Sequence, residues 1–106
     1  MAFELRKDEQ ILIDKVANLF RGIEGVGGRI KITNQRLIFQ PHAINFQRQV
    51  LEVPLNQIQE VKSRKTFGIL PNGMLVKLVS GQEYKFVTWK RKEIMEIINN
   101  NKKSQF

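Results

Sequence analysis

Basic side chains that could bind an anion stand on both sides of a glycine-rich stretch. Arg21 precedes residues 22–28, which hold four glycines in seven positions, and Arg29 and Lys31 follow them. Lys and Arg bind phosphate and carboxylate oxygens through charge-assisted hydrogen bonds, and several must converge because one contact alone is modest. Arg48, from a later polar loop, could join them. These four residues are therefore a predicted anion-binding set.

A second basic cluster consists of Lys62, Arg64 and Lys65. Successive side chains of a strand point to opposite faces, so Lys62 and Arg64 share one face and Lys65 lies on the other. The three side chains form a single patch only if a bulge interrupts the strand. For both clusters, the alternative interpretation is a solvated strand face that binds no ligand.

Groups that could carry catalysis are scarce in this sequence. His42 is the single histidine, cysteine is absent, and no pair of Asp or Glu residues has metal-ligand spacing. Residues 22–28 lack the Gly-Lys-Ser/Thr ending of a phosphate loop and precede a strand rather than a helix. They are interpreted as a loop that joins two strands, with glycine supplying positive φ. The sequence predicts no enzyme, no metal site and no cofactor.

The charge is concentrated in the later part of the chain. The 106 residues suit one domain, and their formal net charge is +8. Residues 1–20 contribute −1, so the remaining residues carry +9. Such a surface favours membrane head groups, nucleic acid or an acidic protein. Without cysteine, a signal peptide or a transmembrane segment, the predicted location is cytoplasmic, with peripheral association at a membrane; the oligomeric state stays open.

An antiparallel hairpin is the clearest structural element. Ile30 and Ile32 alternate with polar residues, and the alternation resumes after Asn34 and Gln35. A two-residue turn there, favoured by the tolerance of Asn for positive φ, pairs Ile32 with Leu37 and Ile30 with Phe39. All four side chains then face the same core. A proline at position 41 ends the second strand.

Five further strands bring the predicted total to about seven. They are expected at 11–21, with a bulge near Asp14, and at 50–53, 59–67 with a bent start, 74–79 and 84–89. Turns are expected at 22–28, at Gly68 with residues 71–73, and at 80–81. The predicted boundaries are an N-terminal lead-in at 1–10, either frayed or briefly helical, a domain at 11–100 and a tail at 101–106.

The last element is an amphipathic helix that follows Trp89. Ile94, Ile97 and Ile98 form an apolar stripe, and residues 99–101 end the helix. The stripe is predicted to dock on the domain's own core rather than on a partner. The predicted core comprises Ile30, Ile32, Leu37, Phe39, Val53, Val61, Val76, Leu78, Phe86, Ile94, Ile97 and Ile98.

Several ordered motifs resemble those of the GRAM domain, a member of the pleckstrin-homology (PH) superfamily. The hairpin at 28–42 is similar to the family's Gly-x-Leu-x-Leu-Thr-x-x-Arg-Leu-x-Phe core. Residues 53–61, 67–73 and 84–89 resemble its later signatures. The resemblance implies a PH-like fold: a mainly β barrel of about seven antiparallel strands, capped by one C-terminal α-helix.

For function, the resemblance implies a non-catalytic binding module for acidic lipids or for protein peptides. In lipid-binding PH domains a Lys-x(n)-Lys/Arg-x-Arg pattern surrounds the first loop, and Arg21, Arg29 and Lys31 are the matching positions, with Arg and Lys exchanged at two of them. An anionic lipid surface or head group is the predicted ligand, and the alternative is an acidic protein or peptide. Nucleic acid is disfavoured because Phe39, Tyr84, Phe86 and Trp89 look internal rather than free for stacking.

Overall fold

Seven antiparallel strands form one curled sheet in the computed structural model, which describes residues 3–42 and 49–102. Along the sheet the strands lie in the order β4-β3-β2-β1-β7-β6-β5, so β4 and β5 are its two edges. The strands are β1 (Ile11–Arg21), β2 (Glu24–Thr33), β3 (Arg36–Pro41), β4 (Leu51–Pro54), β5 (Ile58–Thr66), β6 (Leu70–Leu78) and β7 (Glu83–Val87), and one helix follows, α1 (Arg91–Lys102). The predicted architecture is confirmed, although the sheet curls strongly without closing into a complete barrel.

The β2–β3 hairpin has the predicted register. Ile32 pairs with Leu37 and Ile30 pairs with Phe39, and all four side chains are buried. The two-residue turn is confirmed, but neither of its residues has a positive φ. The Thr33 hydroxyl shapes the turn instead, because its Oγ1 accepts hydrogen bonds from the backbone N–H groups of Gln35 (3.0 Å) and Arg36 (2.9 Å).

The glycine-rich stretch is mostly strand, which corrects the predicted loop at 22–28. Of its four glycines only Gly22, with a φ of 65°, lies in the turn, which Ile23 completes, and β2 already begins at Glu24. Gly28 is required by close packing, since a Cβ there would lie 2.3 Å from the Gln40 carbonyl oxygen. Residues 24–28 are paired with β1, so they do not form a loop of free N–H groups that could cradle an anion.

Two other predicted local features lie elsewhere, and a third is confirmed. The bulge of β1 falls between Ile11 and Ile13 instead of near Asp14. Residues 71–73 belong to β6, and the turn before β6 is formed at Phe67 and Gly68, whose φ values are 54° and 74°. The predicted bend at the start of β5 is confirmed by the register shift between residues 58 and 60.

Helix α1 covers the open side of the curled sheet, as the apolar stripe predicts. Ile94 and Ile98 are fully buried, and Ile97 packs against the core from a partly buried position. The helix continues past residues 99–101, where it was expected to end, and finishes at Lys102, whose Nζ donates to the Gln59 carbonyl (2.9 Å). Of the predicted core, only Val61, Leu78 and Ile97 are partly rather than fully buried.

The N-terminal segment is neither frayed nor helical. Glu9 is buried, and its carboxylate accepts hydrogen bonds from Arg36 Nε (2.7 Å), Arg36 Nη2 (2.9 Å) and Thr33 Oγ1 (2.6 Å). The Arg36 guanidinium also pairs with Glu52 on β4. These contacts tie residues 3–10 to the β2–β3 hairpin, and the hydrogen bonds from Arg36 lower the pKa of Glu9 to about 2.

Candidate anion-binding surface

The basic residues predicted around the first loop are already engaged with protein groups. Arg29 Nε donates to Asp14 Oδ1 at 2.8 Å. Lys31 Nζ donates to Gln40 Oε1 at 2.7 Å, and its side chain is only 13% exposed. Arg21 Nη2 donates to the Gln49 carbonyl at 3.0 Å. An anion that bound these side chains would have to compete with existing partners.

The strand register also separates these residues. Arg21 pairs with Glu24 near the β1–β2 turn, whereas Lys31 pairs with Asp14, which lies seven positions before Arg21 on β1. At about 3.3 Å per residue, that separation is roughly 23 Å. Arg29 and Lys31 project from the outer face of the sheet, opposite Val16 and Asp14, and Arg21 has the inward register of Leu19. Arg48 lies outside the described residues, so the predicted four-residue site stays a prediction.

A groove elsewhere combines a basic pair with apolar side chains. It has a volume of about 300 Å³ and lies between the end of β1, β7 and the end of β5. Arg64 of β5 and Lys85 of β7 supply its positive charge. We call it the Arg64–Lys85 groove. Phe20, Ile23, Phe67 and Val87 provide its apolar lining.

Two turns at this groove carry large apolar side chains that project into solvent. Ile23, in the β1–β2 turn, is 103% exposed. Phe67 and Ile69, in the β5–β6 turn, are 84% and 77% exposed. Phe67 also has a positive φ, which is costly for a bulky residue and marks a conformation imposed by the turn. Apolar side chains concentrated at one place on a surface indicate an interaction site.

The second predicted basic cluster lies on β5, where the bulge that a single patch requires is present. Lys62 and Arg64 share one face, and Lys62 Nζ lies 3.5 Å from Glu60 Oε1. The register shifts between Arg64 and Thr66, so a bulge falls at Lys65. Thr66 Oγ1, beside the groove, is buried without a hydrogen-bond partner in the structure. Of this cluster, only Arg64 lines the groove.

Sequence reasoning missed Lys85, Ile23 and Phe67 as candidate site residues. Lys85, on β7, lies 21 positions after Arg64 in the sequence. Only the β5–β6–β7 pairing brings the two residues together. A signal for the other two existed, because each adjoins a glycine of positive φ, Gly22 or Gly68. A large apolar residue beside a turn glycine has no strand face on which to be buried.

Trp89, expected to be internal, is 67% exposed, and that prediction was wrong. It follows the end of β7 and precedes the first residue of α1, so neither element buries it. Phe39 and Phe86 are buried and Tyr84 packs partly buried against the core, as expected. One of the four aromatic side chains that argued against base stacking is therefore open to solvent.

Two further observations concern metal and membrane. Within residues 3–42 and 49–102, no three His, Cys, Asp or Glu side chains come close enough together to hold a metal ion. In the same residues, no helix has the length and apolar character needed to span a bilayer.

Comparisons with known proteins agree with the observed fold. The sequence model of the GRAM domain matches residues 1–102. The solved N-terminal PH domain of Vps36 superposes with a TM-score of 0.75 at 18% identity, over 95% of this chain and 84% of that one. The C-terminal domain of an unknown protein from Leishmania infantum superposes with a TM-score of 0.78 at 15% identity, over 91% and 86% of the two chains.

One curated relative is a much longer protein. The UDP-sugar-dependent glycosyltransferase 52 of Dictyostelium discoideum is 29% identical in an alignment of 92 positions that covers 80% of this chain. The chain spans only about 5% of that relative's length. The match thus concerns one segment of a large protein, and the PH-like fold predicted from the sequence is confirmed by the solved structures.

Proposed function

Because the chain belongs to the GRAM domain family, whose PH-like members are generally non-catalytic binding modules, we propose that it binds an anionic membrane lipid surface. The Arg64–Lys85 groove would face the lipid phosphates. The side chains of Ile23, Phe67 and Ile69 would enter the boundary between head groups and acyl chains. The single observation that carries this proposal is the presence of exposed apolar turn tips beside a basic groove.

Basic and apolar contacts of this kind suit a membrane, because in a bilayer the apolar acyl chains lie directly below the anionic oxygens of the head groups. Moving one large apolar side chain out of water contributes about 1.5–3 kcal/mol. Each Lys or Arg near an anionic leaflet contributes about 1 kcal/mol. The two apolar side chains (Phe67 and Ile23) and the two basic ones (Arg64 and Lys85) together therefore contribute enough free energy to hold the domain reversibly at a membrane. The anionic cytoplasmic leaflet is the proposed location.

The residues predicted from the sequence supply a competing arrangement. Arg21, Arg29, Lys31 and Arg48 could form the anion-facing rim if Asp14, Gln40 and the Gln49 carbonyl released their basic partners. Replacing the first three would then weaken binding by about a hundredfold, at about 1 kcal/mol each. The Arg64–Lys85 groove is preferred as the binding site because its two basic side chains are exposed. They also lie next to Ile23 and Phe67, whose apolar side chains project into solvent.

Co-sedimentation with phosphatidylcholine vesicles, with and without phosphatidylserine, tests the proposal. The Arg64→Ala, Lys85→Ala double variant should bind the anionic vesicles about 30-fold more weakly than the parent. The Phe67→Ser, Ile23→Ser double variant should lose at least about tenfold. Binding by the parent should weaken as salt rises, because exposed charges are screened within about 8–10 Å at physiological ionic strength.

A matched control and a competing variant make the result decisive. Leu5→Ser with Lys7→Ala removes one exposed apolar and one exposed basic residue near the β2–β3 hairpin, at the far end of β1. This variant should bind like the parent. If instead the Arg21, Arg29, Lys31 triple alanine variant loses binding while the Arg64, Lys85 variant retains it, the site is the rim. If the parent binds no anionic vesicle at low salt, lipid binding is rejected and the protein-interaction alternative takes its place.

A further inference from the structure

Within the described residues, one edge of the first strand is free of a strand neighbour over more than half of its length. β1 runs from Ile11 to Arg21 but pairs with β7 only from Asn18 to Phe20. Within the described residues, the part of β1 before Asn18 therefore has a strand neighbour on the β2 side alone. The chain leaves β1 after Val87, where β7 ends, and turns into α1. That departure opens the edge.

The backbone groups at this edge point towards the opening. The Val16 carbonyl accepts a hydrogen bond from Thr88 Oγ1 at 3.1 Å, so Val16 directs its polar backbone groups away from β2. The Asp14 carbonyl, two residues earlier and thus on the same side, receives a longer contact from Arg29 Nη2 at 3.4 Å. Both carbonyls are covered by side chains rather than by a strand. The edge strands of β-sheets are commonly protected by covering groups of this kind.

A groove of about 420 Å³ follows this edge. Asp14, Val16, Thr88 and Trp89 are among its lining residues, and Trp89 and Val16 are 67% and 59% exposed. Exposed Trp side chains are preferred anchors in protein interfaces because they combine a large apolar area with few rotatable bonds.

The charge around the groove favours an acidic occupant. Lys15, Arg29 and Lys90 line it together with a single carboxylate, that of Asp14. Arg29 Nε is 2.8 Å from Asp14 Oδ1, so that carboxylate is already paired. The remaining positive charge complements Asp or Glu side chains on a partner.

From these observations we infer that the free edge of β1 binds an extended peptide segment as an additional antiparallel or parallel strand. Its N–H groups would replace Thr88 and Arg29 at the carbonyls of Val16 and Asp14. One apolar residue would pack on Trp89 and Val16, and acidic residues would flank it. A peptide fits better than a lipid because only a backbone can pair with a strand edge. This site is separate from the Arg64–Lys85 groove, which it meets at Val87.

Selection from a library of random linear peptides, displayed on phage, tests the inference with the intact chain. Binders should be enriched in acidic residues that flank an aromatic or aliphatic position. They should also shift the fluorescence of Trp89, the only tryptophan in the chain. Trp89→Ala should weaken their binding by at least about 30-fold, as for other interface anchors. The Arg64→Ala, Lys85→Ala double variant should bind the same peptides as the parent does.

Backbone methylation separates strand addition from simple apolar contact. For a selected peptide, N-methylation of alternate residues should abolish binding in one register and leave it unchanged in the other, because only alternate N–H groups face β1. The inference is overturned if no peptide is enriched, if Trp89→Ala leaves the affinity of selected peptides unchanged, or if both methylated registers bind as well as the parent peptide.

Discussion

The buried pair of Glu9 and Arg36 should make a large and pH-dependent contribution to stability. The Glu9 side chain is 0% exposed, and that of Arg36 is 4% exposed. Two hydrogen bonds from Arg36, one from Thr33 Oγ1 and one from the Arg6 backbone N–H (2.8 Å) favour the ionised carboxylate. Glu9→Gln removes the charge while keeping the size of the side chain.

The size of the effect follows from the pKa of Glu9, which falls from an ordinary value of 4.5 to about 2. At 1.36 kcal/mol per pKa unit, the ionised carboxylate stabilises the fold by about 3 kcal/mol at neutral pH. Because the folded-state pKa is the lower one, this contribution is complete above the unfolded-state pKa. It declines as the pH falls from about 5 towards 2. At pH 3 less than half should remain.

Urea unfolding of the parent and of Glu9→Gln, each measured at pH 7 and at pH 3, checks these values. The difference between the two proteins isolates Glu9 from the other carboxylates, which titrate in both. Glu83→Gln, at an exposed residue of β7, is the matched control and should change the unfolding free energy by less than about 0.5 kcal/mol at either pH. A loss of under about 1 kcal/mol at pH 7 for Glu9→Gln, or a loss that is the same at both pH values, would refute the reasoning.

Two further predictions concern close packing and the helix. Gly28→Ala should lower the free energy of unfolding by about 1–3 kcal/mol, because its Cβ would lie 2.3 Å from the Gln40 carbonyl oxygen. Gly25→Ala should cost less, since its Cβ would meet only the Phe20 ring, at 3.6 Å. Equal urea midpoints for the two variants would contradict this prediction. Deletion from Trp89 onwards should abolish cooperative thermal unfolding, because it removes the buried Ile94 and Ile98; a truncated chain that melts at nearly the parent's temperature would instead make α1 a partner-binding element.

Features that depend on short-range periodicity could be predicted from the sequence. Alternation on both sides of Asn34 and Gln35 predicted the hairpin register, because a slip of one residue would turn Ile30 and Phe39 away from the core. The stripe of Ile94, Ile97 and Ile98 likewise predicted a helix packed on the sheet. In each case neighbouring residues alone decide which side chains share a face.

The errors arose where distant segments decide the outcome. Residues 24–28 extend β2 because β1 offers a ladder along their whole length, although their glycines suggest a loop. Glu9 looks like a residue of a charged tail, yet Arg36, 27 positions later, draws it into the interior. Trp89 is exposed because β7 ends before it and α1 begins after it.

The candidate sites show the same division between local and distant effects. Sequence alone identified a basic protein and named Arg64 among its clustered charges. It could not show that Arg29 is paired with Asp14, or that Lys85, Ile23 and Phe67 surround the groove that Arg64 lines. Charge and composition are sums over residues, and they determine which class of ligand the protein favours. The position of a site depends on which strands pair across the curled sheet, and that pairing exists only once the chain has folded.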